Sequence, residues 1–580
     1  MGSARVSEED FAGHRGQEAF DLIVVGAGVG GMTAALVAAI LGQQTLLIEK
    51  SDQVGGTSAT SSGTVWIPNN PYQRRAGITD DAETALRYLD ALVEGRADRE
   101  LREAFIAAGP EMLAYLEAHT DIRFRPYPNQ ADYRQDLPGA TSGWRALEPL
   151  PFDGRTLGKH FDEVRWPLRE LMLFGGMMVT RGEAAQLLKM GRPWESIPLA
   201  VRLVARYAAD RLRYKRGTRL VIGNALVARL YKNLLERHAA VWLNCSPFRL
   251  IVTGGRVTGL TLRQNGAETR VLARNGVVLA GGGFPANREW RERYLPSPVA
   301  QHTAAFEGCT GETLQLGQHA GAALGSPGQD NALWFPSSIA TRKDGSTAVY
   351  PHIVLDRAKP GLIAVNKAGK RFVNEAVSYH EFTRAMYRAH RQVPCIPAML
   401  VCDRRFVWKY GLGMIRPLTL FLRPYVVSGY LHVADSVTEL AHQIGVDPSG
   451  LEETVRAHNE YARNGVDIEF DKGRNIFDRG NGDPTHAPNP CMGAIEASPY
   501  CAVAVVPTPL GTSLGLRTNI HGQVLDHDGS PIQGLYVCGN DMHSPMGGEY
   551  PGAGAQLGAA MTFGYLAARH AATFADEPPF

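Results

Sequence analysis

The sequence predicts an α/β protein of two or three domains, on two observations. Its 580 residues exceed what one core serves, since chains beyond roughly 250–300 residues split into separate cores. The stretch FDLIVVGAGVGGMTAALVAAILGQQTLLIEK, Phe20–Lys50, runs from an apolar strand (Leu22–Val25) through a glycine turn into an alanine-rich helix. A second apolar strand, Thr45–Ile48, follows and ends at Glu49. Strand, glycine turn, helix, strand and acid is the order of a dinucleotide-binding βαβ unit. Gly26 permits the tight turn, Gly28 lets a pyrophosphate approach the helix N-terminus, and Gly31 allows close helix–strand packing. Glu49 is placed to accept from ribose hydroxyls.

Composition excludes several classes. With 44% hydrophobic residues, 20% charged residues and a formal charge of +2, no global imbalance points to nucleic acid. The seven cysteines (Cys245, Cys309, Cys395, Cys402, Cys491, Cys501, Cys538) are scattered, without a CxxC pair. This suits reduced thiols in a cytoplasm, with neither zinc nor an iron–sulfur cluster expected. Residues Met1–Phe20 mix charges and lack a signal-peptide core, and read as a disordered lead-in. The apolar run LMLFGGMMV, Leu171–Val179, is far short of the roughly 20 residues that span a bilayer, so no transmembrane helix is expected.

After Glu49 the chain reads KSDQVGGTSATSSGTVW, a small, hydroxyl-rich segment suited to a long cofactor. It resembles the FAD proteins of the fumarate reductase flavoprotein superfamily. VVLAGGGF, Val277–Phe284, resembles that superfamily's strand and glycine turn closing the FAD domain, and GLYVCGND, Gly534–Asp541, its C-terminal flavin motif. The resemblance implies a Rossmann-like FAD-binding domain with an inserted α+β capping (catalytic) domain, because FAD motifs stand at both ends of the chain. It implies cofactor contacts at Gly26, Gly28, Gly31, Glu49, Lys50, Gly56, Thr57, Ser58, Ser62, Gly63, Gly281, Gly539, Asn540, Gln556 and Leu557. Ser58–Ser62 lacks the histidine that some relatives use for covalent flavin attachment, so the FAD is expected to be non-covalent. The expected division is about 1–335 and 506–580 for the FAD domain and about 336–505 for the capping domain.

The insertion contains GLIAVNKAGKRFVNEAVSYHEF, Gly361–Phe382. It resembles the capping-domain segment that delivers groups to the flavin face, and Tyr379 narrows the resemblance to the 3-ketosteroid Δ1-dehydrogenases. Three further segments resemble that family: QADYRQDLPG, Gln130–Gly139; GLRTNIHGQVL, Gly515–Leu525; and YPGAG with AMTFGYLAA, within Tyr550–Ala567. The resemblance covers most of the chain except about 170–225.

The implied chemistry explains these residue types. Removing hydrogens from adjacent saturated carbons beside a ketone requires one C–H to be acidified and the other hydrogen to leave as hydride. The Tyr550 hydroxyl and the Gly554 N–H would bind the ketone oxygen and support the developing enolate. By resemblance, Tyr379 is the base, as tyrosinate, at carbon 2, while carbon 1 gives hydride to flavin N5. A phenol is a poor base at neutral pH without a neighbouring donor, and Tyr133 is the candidate. His302, His352 and His380 read as structural, with His380 pointing away from Tyr379 if the segment is extended.

Partners implied are a 3-ketosteroid and an external quinone- or dye-like electron acceptor. Three alternatives stay open here: a 3-ketosteroid Δ4-(5α)-dehydrogenase, a fumarate-reductase-like enzyme, and a non-catalytic lipid-surface flavoprotein. Against the second, Gln556 stands where that branch carries an arginine. Finally, Met190–Leu220 holds eight Lys and Arg between Arg192 and Arg219 against Glu195 and Asp210. As a helix after Pro198 it places Val201, Val204, Ala205, Ala208 and Leu212 on one face and Arg202, Arg206 and Arg213 on another. Such a helix suits either peripheral contact with the inner, anionic membrane face or packing on its own FAD domain with a solvated basic face.

Overall fold

A computed structural model describes residues 18–187, 193–264, 266–353 and 356–573; of residues 181, 185 and 193–196 it describes the backbone. Most of the expected lead-in lies outside the described residues. Its end does not: Glu18–Phe20 belong to the first strand, Glu18–Val25, pairing with Val271–Ala273. The strand starts earlier than the apolar run because Phe20 gains an edge-on contact with Trp242, ring centroids 6.0 Å apart.

That strand lies inside an eight-stranded sheet, between Ala267–Leu279 and Thr45–Ile48, both parallel to it. Beyond them lie Pro531–Val537 on one side and Ala240–Trp242 on the other, also parallel. Leu22–Val25 are buried on both faces, as a strand covered by helices must be. Helices Val29–Ile40 and Ala555–Ala572 pack together at a glycine crossing: a Cβ on Gly564 would meet the Gly30 carbonyl oxygen at 2.6 Å. The C-terminal helix is thereby seated directly against the nucleotide-binding helix.

A second sheet is antiparallel, in the order Thr347–Pro351, Ala332–Thr341, Tyr500–Thr512, Ala398–Asp403, Leu362–Val365, with His432–Ala434 also on Tyr500–Thr512. Boundaries at 335/336 and 505/506 would each cut a strand of this sheet; whole strands put its limits at Ala332 and Thr512. Helix Tyr379–His390 packs Phe382 and Met386 against Leu362 and Leu400. Helices Val437–Ile444 and Pro448–Asn464 pack Leu440 and Leu451 against Ile363 and Val401.

The basic helix runs Pro193–Arg211, so it does not begin after Pro198 but carries that proline inside, at the cost of one backbone hydrogen bond. It turns Leu203 and Asp210 inward and leaves Val201, Val204, Ala205 and Ala208, with Leu212 just beyond its end, exposed. Met190–Arg192 lie outside the described residues.

Candidate active site

A cavity of about 1380 Å³ runs between the two sheets. Single-ligand sites measure roughly 300–1,000 Å³, so there is room for a cofactor and a substrate together. At one end lies the glycine turn. Gly26 has φ +106, and a Cβ there would meet the Ala280 carbonyl oxygen at 2.2 Å; a Cβ on Gly31 would meet the Gly26 oxygen at 2.0 Å. Gly28 differs, because the nearest atom to a Cβ there is Ser58 Oγ at 3.6 Å. Its missing side chain therefore clears the cavity rather than the protein, as a bound pyrophosphate requires. Glu49 is buried and accepts from the Ala27 N–H at 3.1 Å and from the Ser51 N–H at 3.0 Å. Lys50 lines the same end, ion-paired with Glu312 at 3.1 Å.

All the expected cofactor contacts line the cavity except Gly63. Gly63 turns the chain between the lining residues Ser62 and Thr64: its φ is +65, and a Cβ there would meet the Gly223 nitrogen at 2.6 Å. Sequence reasoning missed Cys245 and Pro247 beside Glu49, and Ala280 and Gly282 beside Gly281. The last two sat within the quoted VVLAGGGF motif; nothing local marked the first two. Asp541, fully buried, accepts from the Gly281 and Gly283 N–H groups at 2.6 and 2.7 Å, which fixes that turn.

At the other end three tyrosines from three segments converge. Ring centroids lie 5.6 Å apart for Tyr133–Tyr379, 5.6 Å for Tyr133–Tyr550 and 5.4 Å for Tyr379–Tyr550. The Tyr133 hydroxyl donates to the Tyr379 oxygen at 3.1 Å. Tyr379 opens helix Tyr379–His390, whose start is fixed by Ser378, its Oγ accepting from the Glu381 N–H at 3.3 Å. The segment is thus helical rather than extended, and His380 lies buried behind Tyr550, ring centroids 5.9 Å apart. Phe335 packs on Tyr379 at 4.5 Å and Phe477 on Tyr133 at 5.0 Å; both are apolar residues outside any motif.

The Tyr133 loop is bolted from below. Buried Asp132 accepts from Trp66 Nε1, the Thr141 N–H and Arg145 at 2.8, 2.9 and 2.8 Å, and Arg145 also pairs with Asp80 at 2.7 Å. The Pro551 carbonyl accepts from both the Tyr133 N–H at 2.9 Å and the Tyr88 hydroxyl at 2.7 Å, tying this loop to the turn that carries Tyr550. On the other side of Tyr550, Arg384 pairs with Glu549 and Asp330 at 2.6 and 2.7 Å. His380, Glu381 and Glu549 bring ligand atoms within 4.8 Å of one another, but Glu549 already has Arg384 and Arg96 as counter-charges.

Gly554 is the N-cap of helix Ala555–Ala572, with φ +93, and a Cβ there would meet the Thr64 carbonyl oxygen at 2.3 Å. Its N–H is among those a helix start leaves without an intrahelical partner. Gln556 Nε2 donates to the Tyr550 oxygen at 3.2 Å and its Oε1 accepts from Asn540 at 3.3 Å. With its oxygen accepting, Tyr550 keeps its own hydrogen for a ligand. Burial, then the nearby Tyr133 and Tyr550, push the Tyr379 phenol well above its ordinary value. Burial raises Tyr550 too, opposed by its hydrogen bonds with Tyr379 and Gln556.

A βαβ nucleotide turn, a cavity for two ligands and a hydroxyl cluster facing its inner end define a flavoprotein oxidoreductase. Residues 21–557 match the FAD binding domain family. The chain is 36% identical to a 3-oxosteroid 1-dehydrogenase of Mycobacterium tuberculosis, over 96% of this chain and 99% of that one. It is 34% identical to a 4-oxocyclohex-2-ene-1-carboxylate 5-dehydrogenase of Sinomonas cyclohexanicum, over 96% and 94%. The crystal structure of a 3-ketosteroid Δ1-dehydrogenase from Sterolibacterium denitrificans, in complex with 1,4-androstadiene-3,17-dione, superposes with a TM-score of 0.90 at 39% identity, covering 96% of this chain and 100% of that one. The chain belongs to the FAD-binding family and, within it, to the FAD-dependent 3-ketosteroid Δ1-dehydrogenases.

Proposed function

We propose that this protein oxidises 3-ketosteroids at the carbon 1–carbon 2 bond and passes the electrons to an external quinone- or dye-like acceptor. The observation that carries the reading is the Tyr133–Tyr379–Tyr550 cluster facing the N-cap Gly554. Gly26, Gly28 and Gly31 with the start of helix Val29–Ile40 would hold the FAD pyrophosphate, Glu49 its ribose, and Gly539, Asn540, Gln556 and Leu557 its flavin end. When bound, FAD supplies the hydride acceptor.

The rest is the work of this chain. The Tyr550 hydroxyl and the Gly554 N–H hold the ketone oxygen, and both strengthen as enolate charge develops. Tyr379 removes the proton from carbon 2. A buried phenol does not ionise readily, so its anion needs support, which comes from three groups. Tyr133 donates at 3.1 Å; the N-terminus of helix Tyr379–His390 carries positive dipole charge; and Arg357, fully buried and held by the carbonyls of His352 and Glu375 at 2.8 and 2.6 Å, acts indirectly, reaching Tyr133 electrostatically and making its hydroxyl a better donor. Phe335, Phe477 and the tyrosine rings keep water from the enolate.

Product analysis tests the reading. Incubation with 4-androstene-3,17-dione and a dye acceptor should give the 1,4-diene; no product, or desaturation only at carbons 4 and 5 of a 5α-steroid, would overturn it. We also propose a cytoplasmic protein in peripheral contact with the inner membrane face, supported by seven free, buried cysteines and by the exposed apolar side of helix Pro193–Arg211. Among the described residues no helix is long and apolar enough to cross a membrane.

A further inference from the structure

We infer that Leu418–Val427, in the antiparallel-sheet unit, forms the second half of a bilayer-docking collar around one rim of the cavity, facing helix Pro193–Arg211. This deepens the peripheral contact proposed above and rests on it. Leu418, Leu420, Phe421, Val426 and Val427 are all exposed, Phe421 at 79% and Val427 at 78%. Single exposed apolar residues are ordinary; a run of them on one segment marks an interaction site. Leu418 also holds a left-handed backbone, φ 63, a strained state for a bulky residue, of the kind that collects at working surfaces.

The charge of the segment selects the partner. Between Asp403 and Asp435 the chain carries five cations and no acid; Arg405 pairs with Asp403 and Lys409 with Asp483, which leaves Arg404, Arg416 and Arg423 to give the segment its charge. Exposed Arg416 precedes the apolar residues and exposed Arg423 stands among them. Apolar side chains with cations beside them fit an anionic phospholipid surface.

The two wings are joined at the cavity. Hairpin Leu173–Met177 presents Phe174, 70% exposed, at its tip. The Phe174 carbonyl accepts from the Tyr207 hydroxyl of the basic helix at 2.8 Å, and the Met172 carbonyl accepts from Arg416 at 2.5 Å. Leu168 and Leu171 line the cavity from one wing, and Met414 and Ile415 from the other. A steroid leaving the hydrocarbon between the wings would enter the cavity without crossing water.

The test uses FAD-loaded protein and phosphatidylcholine vesicles with or without phosphatidylglycerol. Wild type should co-sediment with the anionic vesicles, less so as salt rises. Phe421→Ser with Val427→Ser, and separately Val204→Ser with Leu212→Ser, should each lower binding about tenfold or more. Turnover of a long-chain steroid dissolved in the vesicles should fall with binding, while that of a soluble short-chain steroid holds. Phe421→Trp emission should shift to the blue on vesicle addition. If the Phe421/Val427 variant binds like wild type while the Val204/Leu212 variant does not, the collar is wrong and the helix contact stands. Absence of wild-type binding even at low salt removes both. Dimers that dissociate in either variant without vesicles would identify a second copy as the occupant and overturn the collar.

Discussion

The Tyr133 hydroxyl donates to the Tyr379 oxygen across 3.1 Å, joining residues 246 positions apart in the chain. The base proposed for carbon 2 is thus in hydrogen-bond contact with the donor proposed to support its anion. Tyr379→Phe, which deletes one oxygen, should lower turnover by about 10²–10⁴-fold with FAD content and steroid affinity nearly unchanged. Turnover close to wild type would remove Tyr379 from the chemistry.

Tyr550→Phe should act through kcat. Loss of one donor to a developing oxyanion typically costs about 2.7–4 kcal/mol in the transition state, a fall of about 10²–10³-fold. Steady-state kinetics would show a change confined to KM if Tyr550 merely binds substrate.

The pH profile follows from burial. Tyr379 is held above the ordinary phenol value, so the reactive anion is scarce at neutral pH and grows as pH rises. In single-turnover measurements the rate should climb about tenfold per pH unit from neutral into the alkaline range, and Tyr379→Phe should flatten the climb. A plateau already reached below pH 7 would point to a different base.

How far the sequence carried this depended on how local each signal was. Gly26 and Gly31 announce themselves, because backbone clashes at 2.2 and 2.0 Å exclude a side chain. Tyr379 and Tyr550 stand in motifs that resemble a known family. Gly63 lies in the same glycine- and serine-rich stretch as real cavity residues, and only the fold puts it against Gly223. The Asp132–Arg145–Asp80 bolt was invisible because Arg145 and Asp80 are 65 residues apart and neither belongs to a motif, although Asp132 stands beside Tyr133 in one. Periodicity found the apolar face of the basic helix but carries no sign: that face is on the outside.

That bolt supplies a stability prediction. Asp132→Asn removes one counter-charge of buried Arg145 while Asp80 remains. It should destabilise by about 3 kcal/mol and lower kcat through a displaced Tyr133, read by thermal unfolding alongside kinetics. Reduced stability with unchanged kcat would mean that the loop is held elsewhere.

The central claim is that this cavity oxidises a 3-ketosteroid at the expense of bound flavin. Mixing the FAD-loaded protein anaerobically with 4-androstene-3,17-dione, with no acceptor present, tests it directly. Flavin absorbance should bleach within one turnover as the 1,4-diene forms, with no bleaching in Tyr379→Phe on the same timescale. An unchanged spectrum at full FAD occupancy, across short- and long-chain 3-ketosteroids, would contradict it.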